Sequence, residues 1–429
     1  MTTVVRISPA RAAVTALALS PVFIIFISSN VVNAGNLLFN VLFSRWMGPE
    51  LFGELATVLT VKLAILGVLG ALQIAVSHRV AKEPAASTPA LHAALAVLNR
   101  ITFVVMWCAL PVILGLIWAT DLSSNLGLTA SLPLILLALS LPFALPMSIL
   151  RGVAFGALDV KHVLWSANLE MVVRLFAAMA AWQAGLGLSG VVAAIALSIA
   201  AGWLPLRNML RPHPARTIAW RPLARGLGLA AVPFAMLQAS QVVLLDADVI
   251  LARITLGASD AGYIAALSLF QRIQFFACFG LASVLLPAVS RALVAGISIA
   301  QPAGAVATLF IGVSAVVLFA TAQFPAEIIT AFVGPAFLPV APDLILAAGA
   351  AVAFTLSYLL ATFLSAIGDK RGIWLILMAC PVQIAAMAVF GETLTQMLQF
   401  KLICQIALAA LLVTLALGRT LRRPQPAFL

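Results

Sequence analysis

The sequence predicts an all-α polytopic membrane protein: twelve transmembrane helices in two six-helix lobes, related by a parallel internal repeat around a central cavity. Three observations carry this expectation: the composition, the spacing of apolar runs, and self-similarity at a displacement of about 210 residues. Of 429 residues, 64% are hydrophobic and only 9% are charged, with a mean hydropathy of +1.16. Soluble domains carry roughly 25% charged residues, so this chain needs a bilayer as solvent. A span takes about 20 apolar residues. Twelve such runs lie near 18–43, 52–76, 95–119, 130–150, 162–183, 188–208, 227–252, 260–288, 303–323, 342–366, 371–390 and 396–418.

The formal charge of +11 follows from topology rather than from nucleic acid, because the bases form no tract and no aromatic-interleaved patch. Most of the 24 Lys and Arg residues fall in alternate gaps: Arg6 and Arg11; Arg79, Lys82 and Arg100; Arg151 and Lys161; Arg207 to Arg225; Arg291; Lys370 and Arg371; Arg419 to Arg423. Cytoplasmic loops concentrate such residues, which puts both termini in the cytoplasm of a bacterial inner membrane. The opposite side receives Arg45, Arg253 and Lys401 with Glu50, Asp121, Asp260, Glu327, Asp343 and Glu392. The first apolar run is far longer than a signal-peptide core and is expected to be retained.

The first span carries Asn30, Asn33, Asn36 and Asn40, of which the last three share one helical face. Unpaired amides in hydrocarbon cost kilocalories each, so this face must meet protein or water. The span ends in Arg45-Trp-Met-Gly48-Pro49-Glu50-Leu-Phe-Gly53-Glu54, a charged corner between two glycines. Gly48 and Gly53 recur as Gly257 and Gly262, displaced by 209, while Lys62 recurs as Arg272 and Asp159 as Asp369, displaced by 210. The repeat sets the domains as 1–210 and 227–429. Between them lies a basic, proline-broken linker at 211–226, whose Ile218, Trp220 and Leu223 could form an interfacial helix.

Ionisable residues inside spans mark pathways or structural pairs. Glu170 and Arg174 stand one turn apart on the fifth span and can pair. Lys62 and Arg272, at matching mid-bilayer depths, would give a cavity the positive charge that a phosphate-bearing substrate requires, or else form helix-packing pairs with Asp246 or Glu170. Asp246 and Asp248 point about 200° apart on their helix, so one suits an ion site or a pair with Arg272 or Arg253, and Asp248 could reach the interface. Pro233, in the same span, removes a backbone donor and can bend it; Pro142, Pro146 and Pro381 do likewise elsewhere. Cys108, Cys278, Cys380 and Cys404 show no paired spacing, the four histidines are scattered, and no cofactor or metal motif is present.

With those residues in view, the opening span and its Gly48-to-Gly53 corner resemble the polysaccharide-transporter flippases, the O-antigen branch of the multidrug/oligosaccharidyl-lipid/polysaccharide exporter superfamily. Asp246-Ala-Asp248 through Ala261-Gly262-Tyr263, Leu286-Pro287-Ala-Val-Ser290-Arg291 and Ala366-Ile-Gly368-Asp369-Lys370-Arg371 are similar to its second-half pattern. The resemblance implies movement of a polyprenyl-pyrophosphate-linked oligosaccharide between leaflets by ion-coupled alternating access, in membrane lipid, beside glycosyltransferases or a glycan polymerase. Lys62, Arg272 and Arg174 would then hold the pyrophosphate, and Asn33, Asn36 and Gln241 the headgroup. Asp246, Asp248 and Glu170 would serve H+ or Na+ coupling. The alternatives are a cation-coupled drug antiporter of the same superfamily and a membrane-embedded glycan polymerase or ligase, the latter disfavoured by short outer gaps.

Overall fold

The computed structural model describes residues 21–84, 87–210, 220–294 and 298–421. The termini and linker residues 211–219, including Ile218, lie outside them. Among the described residues there is no strand. The helices are α1 (Pro21–Ala81), α2 (Thr88–Ala119), α3 (Leu122–Asn125), α4 (Leu132–Ala138), α5 (Leu141–Gly156), α6 (Val160–Gln183), α7 (Gly187–Trp203), α8 (Trp220–Thr255), α9 (Ala258–Val294), α10 (Ala300–Gln323), α11 (Pro325–Phe332), α12 (Leu344–Ala366), α13 (Arg371–Phe390) and α14 (Leu394–Leu421).

Ten helical stretches among these residues are long and apolar enough to cross a bilayer. The first of them breaks at Gly48, where φ is 70° and ψ 177°, so it supplies two rods. With the 37-residue α9, twelve rods result, as the hydropathy pattern requires. The fourth expected span is made of α4 and α5, separated at Leu139 and Ser140, with Pro142 in the first turn of α5. Its missing N–H would be unbonded there in any case.

The internal repeat is visible in backbone detail. Gly48 and Gly257 both have positive φ (70° and 117°), and each separates two rods. At the other repeated landmark, Leu158 and Gly368 both lie in the left-handed region, at φ 52° and 85°. The following N–H groups, of Asp159 and Asp369, donate to Ala154 O (2.8 Å) and Leu364 O (2.9 Å), closing the same helix-ending motif twice. Both aspartates then accept from an N–H at the start of the next helix: Asp159, its N-cap, from His162 N, and Asp369, one residue before the N-cap Lys370, from Arg371 N. The Arg371 hydrogen bonds hold the Asp369 carboxyl well below the usual carboxylate range. Leu158 is half exposed and gains little from its side chain, while a left-handed non-glycine residue costs about 1–2 kcal/mol. Leu158→Gly is therefore expected to raise stability by roughly 0.5–1 kcal/mol, after glycine's own entropic cost, seen as a higher melting temperature in detergent. A lower one would mean that the leucine packs better than its exposure implies.

The chain packs as two units. One unit contains the chain up to Phe39, Ile65–Ser123 and Ala130–Ala235; the other contains Asn40–Ala64, Ser124–Thr129 and Met236–Leu429. Trp220 and Leu223, read from sequence as part of a solvated connector or of an interfacial helix, open α8 and pack, half-buried, against the cluster of Ala71, Val76, Leu91, Leu95, Ile149 and Val153 in the first unit. The first unit also holds an aromatic group in which Phe103 stacks on Trp203 at 5.5 Å, with Phe143 edge-on to both. The second is built on Phe275, Phe354, Leu364, Ile376, Leu408 and Leu412. The division falls inside α8, between Ala235 and Met236 and two residues beyond Pro233, where the helix lacks a backbone donor.

In the second unit the two copies of the repeated corner meet. Gly53 faces Gly262, its equivalent, and Ser259 Oγ donates to Glu50 Oε1 at 3.2 Å, again between equivalent positions. Contacts between like positions are what a local two-fold relation produces. Phe337 lies edge-on to both Phe52 (5.9 Å) and Tyr263 (6.0 Å), and Arg45 donates to Thr330 O and Ala331 O. This packing, and not chain order, carries residues 40–64 into the second unit.

Candidate functional site

Buried charge is concentrated on a few helices, and each unit has its own set. In the second unit, α8 passes Asp246 and Asp248 to different partners, as two positions about 200° apart must. Asp246 pairs with Arg272 of α9, Nη2 to Oδ1 at 2.8 Å and Nε to Oδ1 at 2.9 Å. This is one of the two pairings foreseen for it. Asp248 is 0% exposed and therefore does not reach an interface. It meets Lys401 of α14, Nζ to Oδ2 at 2.6 Å.

Lys401 was the residue most misjudged from sequence. Assigned to an outer gap, it sits seven residues into α14 and is 1% exposed. Its Nζ also donates to Gln271 Oε1 (2.6 Å) and Leu245 O (2.7 Å), so all three ammonium protons are used. A buried charge endures only when paired and fully hydrogen-bonded. Beside it, Gln383 and Gln405 both donate to Leu244 O, at 3.2 and 3.3 Å, and Gln405 bonds Gln383. Neither glutamine was picked out from sequence. The signal was there: polar residues at 401 and 405, one turn apart in the otherwise apolar stretch 400–413.

Arg253, the other foreseen partner of the aspartates, is instead taken by the corner. Its Nε donates to Gly127 O at 2.7 Å, and its Nη2 lies 3.8 Å from Glu54 Oε2. Lys62, in the same unit, is 5% exposed, and Gln241 is half-buried.

In the first unit Glu170 Oε2 pairs with Arg151 Nη2 at 2.8 Å. Arg151 was placed from sequence in a cytoplasmic gap, but α5 extends to Gly156 and carries it inside the helix. Its Nε bonds Ser166 Oγ, which donates in turn to Gly202 O. Arg174, one turn beyond Glu170, is buried with its guanidinium 5.9 Å from the Phe39 ring centre, within cation–π range. On α1, Asn33 is exposed and Asn36 half-buried. The expected site residues thus divide: Arg174, Glu170, Asn33 and Asn36 belong to the first unit; Lys62, Arg272, Gln241, Asp246 and Asp248 to the second. No group of three or more His, Cys, Asp or Glu that could hold a metal occurs among the described residues.

These features define the class: an all-helical, multi-pass membrane protein with the architecture of the MATE transporters. The chain is similar to an inward-facing multidrug resistance MATE family transporter of the MOP superfamily, with 14% identity, 90% of this chain and 94% of that chain covered, and a TM-score of 0.75. An outward-facing transporter of the same description covers 96% of each chain at 15% identity and a TM-score of 0.65. A eukaryotic MATE transporter gives 16% identity, 95% and 96% coverage and a TM-score of 0.65. No protein-family model matches the sequence, and no curated protein matches it. At these identities the likeness establishes the fold alone.

Proposed function

We propose that this chain is a secondary transporter that moves an amphiphilic solute across a membrane by alternating access. The observation that carries the reading is the fold match over nearly the whole chain to transporters described in both inward-facing and outward-facing conformations. Those neighbours are described as multidrug transporters, so export of a drug-like solute in exchange for a cation is the cargo reading they favour.

A second reading rests on the buried charges. Among the described residues, Glu54, Asp246, Asp248 and Glu170 each have a base within 4 Å. Lys62 and Arg174 are two further buried bases, 5% and 9% exposed, one in each unit. A cationic drug calls for a carboxylate in excess, whereas net positive charge suits an anionic headgroup. This supports a polyprenyl-pyrophosphate-linked oligosaccharide as cargo, with Lys62, Arg272 and Arg174 toward the phosphates and Asn33, Asn36 and Gln241 toward the polar headgroup. Asp246 and Glu170 remain the carboxylates for H+ or Na+ coupling, whereas Asp248 is held by Lys401. Glycosyltransferases or a glycan polymerase would then be the partners.

Purified protein in vesicles separates the two. A lipophilic cation dye accumulated against a Na+ or H+ gradient would identify the drug antiporter. Movement of a fluorescent short-chain polyprenyl pyrophosphate, reduced at least tenfold by Lys62→Ala with Arg272→Ala and Asp246→Ala, would identify the lipid-linked cargo. The third change keeps Asp246 from being left as a buried unpaired charge. Transport of neither probe would overturn the proposal.

A further inference from the structure

Lys401 is surrounded in the way an ion is coordinated. Its Nζ has three oxygens of three kinds at 2.6–2.7 Å: a carboxylate from Asp248, a backbone carbonyl from Leu245 and an amide carbonyl from Gln271. Lys401, Asp248 and Gln271 are at most 1% exposed. Oxygen sets of this mixed kind bind hard cations.

Two further details show the surroundings shaped around positive charge. Gln271 aims its carbonyl at the ammonium although its Nε2 is then buried with no hydrogen-bond partner, an arrangement that a neutral occupant would not sustain. The Val249 N–H also donates to Asp248 Oδ1 at 3.1 Å, and Leu245 O accepts from Lys401. The pair is also confined to one half of the repeat. Residues 191–195, which stand 206 to 210 positions before Lys401, read Val-Val-Ala-Ala-Ile. Packing of the repeated fold does not call for a lysine here.

We propose that Lys401 is a tethered cation occupying a monovalent-cation site formed by Asp248, Leu245 O and Gln271. The native protein consequently binds no free metal ion at this place, and Asp248 is spoken for by the chain itself. Removing the ammonium opens the site to a free alkali-metal or ammonium ion. The inference concerns the oxygens around Nζ and stands whichever cargo is carried.

The test is thermal melting of the purified full-length protein in detergent, with chloride salts of Na+, K+, NH4+ or bulky N-methylglucamine at equal ionic strength. Any wild-type response to cation identity, such as Na+ binding at a coupling carboxylate elsewhere would give, is the baseline. Lys401→Ala should melt several degrees lower than wild type in N-methylglucamine and recover saturably, beyond that baseline, in one of the small cations. The neutral pair Lys401→Met with Asp248→Asn should fold and respond to the salts as wild type does. A Lys401→Ala response to the four salts that is no larger than that of wild type overturns the proposal. Failure of Lys401→Ala to fold in any salt, while the neutral pair folds, overturns it as well, because a free ion would then not replace the ammonium.

Discussion

Gly262→Val is expected to yield no folded protein, and Gly262→Ala very little. A Cβ built on Gly262 would lie 1.8 Å from Pro49 O and 2.5 Å from Pro49 C, and one on Gly53 would lie 2.6 Å from Gly262 N. These neighbours are backbone atoms, so no rotamer change relieves the overlap. The two corners would have to part, taking with them the Ser259–Glu50 bond and the bonds that Arg253 makes to this region. Overpacking usually costs about 1–3 kcal/mol when side chains can give way. Where only backbone can move, the loss should exceed about 4–5 kcal/mol, the exceptional end of single substitutions. Size-exclusion profiles and melting curves in detergent would show it. Gly304→Ala is the control, since an added Cβ there meets nothing within 4 Å. Wild-type melting by Gly262→Ala would mean that the corners do not touch.

Glu54→Ala should be the next most damaging change, at about 3–5 kcal/mol, the cost of breaking a buried ion pair by removing one partner. The Glu54 side chain is 1% exposed; its Oε1 accepts from Thr129 N and Thr129 Oγ1, both at 2.8 Å, and its Oε2 faces Arg253. Without it, Arg253 keeps Gly127 O but loses its carboxylate, and segment 124–129 loses its anchor. Glu54→Gln preserves an acceptor for Thr129 and removes only charge that stands 3.8 Å from Arg253, so it should cost less than half as much. Denaturation midpoints of the two variants give the comparison. Equal losses would assign the effect to charge alone, and no loss in Glu54→Ala would remove the anchor from the account.

The fold was largely legible because membrane solvation leaves few options. Every backbone polar group in hydrocarbon must be satisfied within its own helix, so apolar runs of the right length map onto rods almost one to one. The expected span 371–390 coincides with α13, and 162–183 nearly with α6. The repeat was legible because its landmarks are residues with backbone duties, Gly48 and Gly257 at the breaks, Asp159 and Asp369 at the helix starts. The charge pairing was legible only in part. Asp246 finding Arg272 was among the foreseen pairs, while Lys401 with Asp248, and Arg151 with Glu170, were not. A lysine near the predicted end of a span reads as a loop residue unless one knows that another helix brings it a buried carboxylate.

The sequence by itself therefore determined a twelve-rod membrane protein with an internal repeat and charged residues within its spans. These are properties of hydropathy, periodicity and residue identity, and they need no knowledge of neighbours. Only the tertiary structure decided which charges answer which, that residues 40–64 pack with residues 236–429, and that the repeated glycine corners press against each other. The physical reason is range. Solvation and helix-ending preferences act within a few residues, whereas an ion pair such as Lys401–Asp248 joins positions 153 residues apart and exists only once the helices are packed.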